Sequence, residues 1–109
     1  MLAFVLAATG CSDPTGGSVD GKAVFASMCT SCHGERGKPS EGMAAQLNVR
    51  DLTDPKWRVA VTPALVEHQV RTGSANKLMP SFTGALSDAQ IKAVAAYVAS
   101  PTFVTPAPN

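Results

Sequence analysis

Hydrophobic positions recur at helical spacing in three stretches of this chain. In the first, Val24, Phe25 and Met28 stand at i, i+1 and i+4 behind Asp20, an N-cap for a helix that opens at Gly21. In the second, Leu65, Val66, Gln69 and Val70 form a modest stripe behind Thr62-Pro63, with Thr as cap, Pro at the first helical position and Gly73 as the stop. The third is the clearest: Ile91, Val94, Ala95 and Val98 recur behind Ser87 and Gln90, a capping box, and Leu86 with Ile91 staples across it. These periods predict three helices, and no strand-like alternation surrounds Cys29 to Cys32.

Two of these stretches are expected to cross. Gly21 and Phe25 are four apart on the first stripe, and the last stretch carries small alanines at 93, 95, 96 and 99 beside Tyr97. A helical glycine costs about 1 kcal/mol against alanine, a cost that a close crossing offsets. The connections are less regular. Residues 34–42 read as a loop by their glycines and proline, Met43 to Val49 as a short helical turn, and Asp51 to Trp57 as a turn-rich connection around the single tryptophan. Pro101 to Asn109 has proline without helical period and reads as a frayed, disordered tail, so the folded domain is expected over residues 20–100.

At 109 residues, 45% hydrophobic but only 6% aromatic, the chain makes one small domain with a thin core. Domains of that kind commonly need a staple. The net charge of +1 is interleaved in sign, so neither nucleic acid nor an anionic membrane surface is implied as a partner.

Cys29-Thr30-Ser31-Cys32-His33 offers the staple. Two thiols separated by two residues and followed at once by histidine are the attachment pattern of c-type haem, in which the thiols bond the porphyrin edge and the imidazole takes one face of the iron. Residues three apart near a helix end share a face, which is what one porphyrin edge requires. Two other readings compete. A dithiol redox pair belongs in a βαβ pattern, which is missing here, and a zinc site needs further ligands, yet neither a second cysteine pair nor a histidine pair follows. With one haem, two propionates would bring the net charge to about −1.

The opposite face of the iron needs a second ligand. Met79 lies in Asn76-Lys77-Leu78-Met79-Pro80, where the proline forbids helix and stiffens the backbone. Met28 is tied to the helix beside Cys29 and is expected in the core, Met43 falls too soon after His33, and His68 is a lone helical histidine. Trp57 either fills the core or donates its indole N–H to a haem propionate; Arg50, Arg58 and Arg71 are further propionate candidates. The non-ligating nitrogen of His33 is expected to donate to a carbonyl near Pro39.

Residues 1–10 (MLAFVLAATG) are apolar and too few to span a bilayer, which takes about 20. The run ends in Ala8-Thr9-Gly10-Cys11 and resembles a bacterial lipoprotein signal, with Cys11 the lipidated residue and 11–19 a flexible tether. Its departures are a short run, no preceding Lys or Arg, and Ala8 where leucine is usual. An ordinary cleaved export signal is the alternative.

Together, Cys29-Thr30-Ser31-Cys32-His33-Gly34, Leu78-Met79-Pro80, the Gly21/Phe25 pair and Tyr97 resemble the class I cytochromes c in order and approximate spacing. The resemblance covers residues 20–100. It implies an all-α cytochrome c fold of three main helices with one or two short ones, crossing N- and C-terminal helices, and one haem c bonded covalently through Cys29 and Cys32 with His33 and Met79 as axial ligands. It further implies a monomeric, non-enzymatic electron carrier in the periplasm, and the lipoprotein-like signal adds that membrane contact comes only through a lipid anchor at Cys11. Its redox partners would be proteins such as a respiratory complex, an oxidase or a reductase. Were Met79 not bound, the open iron site would instead suit a peroxidase-like or gas-binding protein; without haem, the dithiol reading would stand.

Overall fold

The computed structural model describes residues 17–104. The apolar run, Cys11 and most of the expected tether lie outside the described residues, as do residues 105–109. Among the described residues there are no strands. The elements are α1 (Gly21–Met28), α2 (Thr30–His33), α3 (Glu41–Leu47), α4 (Pro55–Ala60), α5 (Pro63–Thr72), α6 (Asp88–Ala99) and a 3-10 turn at Pro101–Phe103. The three expected main helices are α1, α5 and α6, and the short ones number three rather than one or two.

Caps account for where the helices begin. Asp20 accepts from the Lys22 N–H, Thr62 from Leu65, and Ser87 from Gln90, whose own side chain returns to the Ser87 N–H. Ser40 caps α3 by accepting from Met43, so this helix opens at Glu41, inside the segment read as loop. The turn-rich connection also proves partly helical: Asp54-Pro55 starts α4 through proline at a first-turn position, where its missing N–H costs nothing.

The core sits between α6 and two partners, α1 and α5. Ile91, Val94, Ala95 and Val98 of α6 are buried, and Val24 and Phe25 of α1 and Val66 and Val70 of α5 close over them. Full burial of a side chain of this size stabilises by about 1.5–3 kcal/mol. The α1/α6 crossing is as close as the glycine predicted. A Cβ on Gly21 would lie against the Ala93 carbonyl and 2.7 Å from the Tyr97 Cβ.

The C-terminal segment departs from expectation. Pro101–Phe103 is not a frayed tail: Phe103 is buried and completes an aromatic trio. Its ring stands 5.1 Å from Phe25 and 5.2 Å from Tyr97, both near perpendicular, and Phe25 and Tyr97 are 5.9 Å apart. Proline, read as a breaker, here opens the 3-10 turn that delivers the ring. Arg58 secures the same corner, donating to the Val98 and Ser100 carbonyls at 2.7 and 2.9 Å, where α6 leaves acceptors unpaired.

Candidate functional site

Cys29 interrupts what is nearly one continuous helix. Its backbone, at φ −118° and ψ −27°, is the C-cap of α1 and the N-cap of α2, and the ladder carries on through it: Cys29 N–H to Phe25, His33 N–H to Cys29, Gly34 N–H to Thr30, each 2.9 Å. Cys29 and Cys32 therefore sit within one turn, and His33 follows at its end. Gly34, at φ +82°, then reverses the chain, and a Cβ there would strike the Lys38 carbonyl.

These residues border a cavity of about 450 Å³. Met28, Cys29, Cys32 and His33 line one side; Leu47 at the end of α3 and Val49 and Arg50 just after it follow; Leu78, Met79, Pro80 and Phe82 come from the loop after α5. The four residues expected to hold the haem thus converge from two distant parts of the chain onto one wall system. Met28, expected in the core alone, both packs against the core and borders the cavity. His68 is exposed and off the cavity wall.

His33 is oriented by a partner that differs from the one expected. Its Nδ1–H donates to the Arg50 carbonyl at 3.2 Å, not to a carbonyl near Pro39. With Nδ1 committed as donor, Nε2 keeps its lone pair, the form in which imidazole binds a metal. Burial lowers the His33 pKa, the bond to Arg50 opposing it, and so favours the neutral ring. Burial likewise pushes the Cys29 thiol up to about 11, with Cys32 adding to the rise.

Met79 is held on a closed loop. Its N–H donates to the Ser74 hydroxyl and its carbonyl accepts from the Ser74 N–H, both at 3.0 Å. Beyond Pro80, Ser81 and Thr83 hydroxyls donate to the Arg71 carbonyl at 2.5 and 2.9 Å, and the Phe82 N–H donates to Val70 at 2.9 Å. The open carbonyls at the end of α5 therefore anchor the loop.

The arginines and the tryptophan separate. Trp57 is not on the cavity wall: it packs partly buried against the core, with the Arg58 guanidinium 5.6 Å and that of Arg50 6.0 Å from its ring. Its packing against the core matches the core-filling reading. Arg58 is spent on α6, and Arg71 pairs with Glu67 and Asp88. Arg50 alone of the three borders the cavity, and it also lines an adjoining polar pocket with Asp51 and Asp54.

This donor set fits a c-type haem. Two thiols on one turn, a neutral imidazole with a free Nε2 and a thioether on a braced loop all meet around a cavity walled largely by apolar side chains. Arg50 places a cation at the cavity margin, where it would meet a propionate.

Residues 19–98 match the family described as cytochrome c oxidase, cbb3-type, subunit III. The chain is 35% identical over 80 residues to the cbb3-type oxidase subunit FixP of Bradyrhizobium diazoefficiens, covering 73% of this chain and 26% of that protein. It is 33% identical over 98 residues to the subunit CcoP of Cereibacter sphaeroides, covering 90% and 32%. It thus spans about a quarter to a third of the length of these curated relatives. Among solved structures, the c-type cytochrome KustC0563 superposes with a TM-score of 0.65 at 25% identity, over 73% of this chain and 94% of that one.

Proposed function

From the premise that this chain belongs to the cbb3-type subunit III family of c-type cytochromes, with the cytochrome c fold, we propose that it is a single-haem electron carrier. In this reading Cys29 and Cys32 form the thioether links, His33 and Met79 are the axial ligands, and Arg50 meets a propionate. The observation that carries it is the convergence of Cys29, Cys32, His33 and Met79 on one cavity, with His33 Nδ1 already committed to Arg50.

The haem, when bound, supplies one-electron exchange between ferric and ferrous iron. The chain's own residues do the rest. The Arg50 carbonyl holds His33 in one tautomer and one ring orientation, so that little rearranges when charge changes. Leu47, Val49, Leu78 and Phe82 exclude water, and burial together with a thioether ligand favours the lower charge state and a higher potential than bis-histidine ligation. His33 and Met79 would both be given over to holding the iron, leaving no place there for a substrate, which supports an electron carrier rather than an enzyme. The dithiol reading loses ground on Cys29, because a reactive thiolate needs a lowered pKa and burial raises this one.

The likeness to cbb3 oxidase subunits supports a respiratory oxidase as redox partner, on the periplasmic side of a membrane. Residues 1–10 would then be the export signal, Cys11 the lipidated residue and 12–19 the tether, a reading supported by sequence alone.

Absorption spectra of the chain expressed with a haem c maturation system test the site. A sharp reduced α-band is expected, with an oxidised sulfur-to-iron band in the far red that disappears in Met79→Ala. Haem without that far-red band would reopen the sixth site, and no bound haem would return the cysteines to dithiol chemistry.

A further inference from the structure

We propose that Ser74 is the positioning residue for the Met79 ligand; the proposal rests on the reading of Met79 as an axial ligand and deepens it. Ser74 engages both polar groups of the Met79 backbone, accepting its N–H on the hydroxyl and donating its own N–H to the Met79 carbonyl, each at 3.0 Å. The hydroxyl is itself oriented. It donates to the Asn76 side-chain oxygen at 2.6 Å, and that oxygen also accepts from the Leu78 N–H at 3.0 Å. The Lys77 N–H closes onto the Ser74 carbonyl at 3.0 Å.

The six residues 74–79 are thus cross-braced by backbone, hydroxyl and amide. Gly73, at φ +74°, makes the approach possible, since a Cβ there would lie 2.6 Å from the Met79 carbonyl oxygen. Ser74, Asn76 and Met79 all border the cavity.

A thioether is a neutral ligand, and an imidazole from solution competes with it well. What keeps the sulfur in place is then the free energy needed to move its loop. Only one hydrogen bond from the Ser74 side chain reaches Met79, and a neutral bond of this kind contributes a few-fold to about tenfold in an equilibrium constant. Removing the hydroxyl weakens the hold on Met79 and leaves the contacts of Ser81, Phe82 and Thr83 to α5 in place.

The test is titration of the ferric holo-protein with imidazole, following loss of the far-red sulfur-to-iron band. In Ser74→Ala the half-saturating imidazole concentration is expected to fall about three- to tenfold. Ser74→Thr, which keeps an acceptor oxygen, is expected to titrate like the unsubstituted protein. Asn76 is exposed and its replacement leaves the core untouched, so Asn76→Ala, which frees the Ser74 hydroxyl to rotate, should shift the titration the same way even were Ser74→Ala to fold poorly. If Ser74→Ala and Asn76→Ala titrate unchanged while Met79→Ala lacks the far-red band, Met79 is bound without help from Ser74 and the proposal is wrong. Should Met79→Ala retain the band, the ligation reading itself falls and takes this proposal with it.

Discussion

Gly21 marks the point where α1 rests on α6, and the contact leaves no space for a methyl group. The nearest obstacles are the Ala93 carbonyl and the Tyr97 Cβ, neither of which can swing aside as the tip of a long side chain would. Gly21→Ala gains helix propensity but forces the crossing apart, and overpacking of this kind costs about 1–3 kcal/mol. The variant is expected to melt several degrees lower, roughly 4–8 °C for each kcal/mol, by circular dichroism of the holo-protein. This requirement was legible because glycine in an amphipathic stripe has few other uses. The partner of His33 was not. A backbone carbonyl has the same signature at every residue, so nothing in Arg50 distinguishes the acceptor until the chain folds and brings residues 33 and 50 together.

At the scale of elements, α5 and α6 are joined through Arg71, which pairs with Glu67 one turn back on its own helix and with Asp88 at the start of α6, while Lys92 also reaches Asp88. The Arg71 guanidinium is the main reason the Asp88 carboxyl lies below the usual range. A lowered carboxylate stabilises the fold above its unfolded pKa, near 3.9, and that contribution disappears as pH falls through the lower folded value. Asp88→Asn removes it at neutral pH already. Its urea midpoint should therefore lie below the unsubstituted protein's at pH about 6 and draw closer at pH about 2. The helices with an amphipathic face and a capping residue were readable in advance. Short elements were harder: Asp54-Pro55 carries the same cap-and-proline signal as Thr62-Pro63, but six residues with Val59 left exposed show no apolar stripe to endorse it. Phe103 was hidden for a different reason, since the rings that bury it, Phe25 and Tyr97, come from α1 and α6 and meet it only in the folded chain.

For the molecule as a whole, the proposed placement of the chain at a membrane rests on Cys11. If it bears lipid, Cys11→Ala moves the protein from the membrane to the soluble fraction and leaves its absorption spectrum unchanged; equal partition of both forms would remove the anchor from the reading. The way the folded part begins matters here. The buried Gln90 side chain donates to the Ser18 carbonyl at 3.0 Å, so the entering chain is clipped to the first turn of α6 before α1 starts. The Pro101–Phe103 turn leaves from the other end of that 12-residue helix, about 18 Å away. A pull on the chain ahead of Ser18 therefore meets the Ser18–Gln90 clip first, and the clip passes it to α6, the longest helix among the described residues. Tension arriving from that end is thus diverted onto α6, which does not border the cavity, before it reaches α1 and the Cys29–His33 turn.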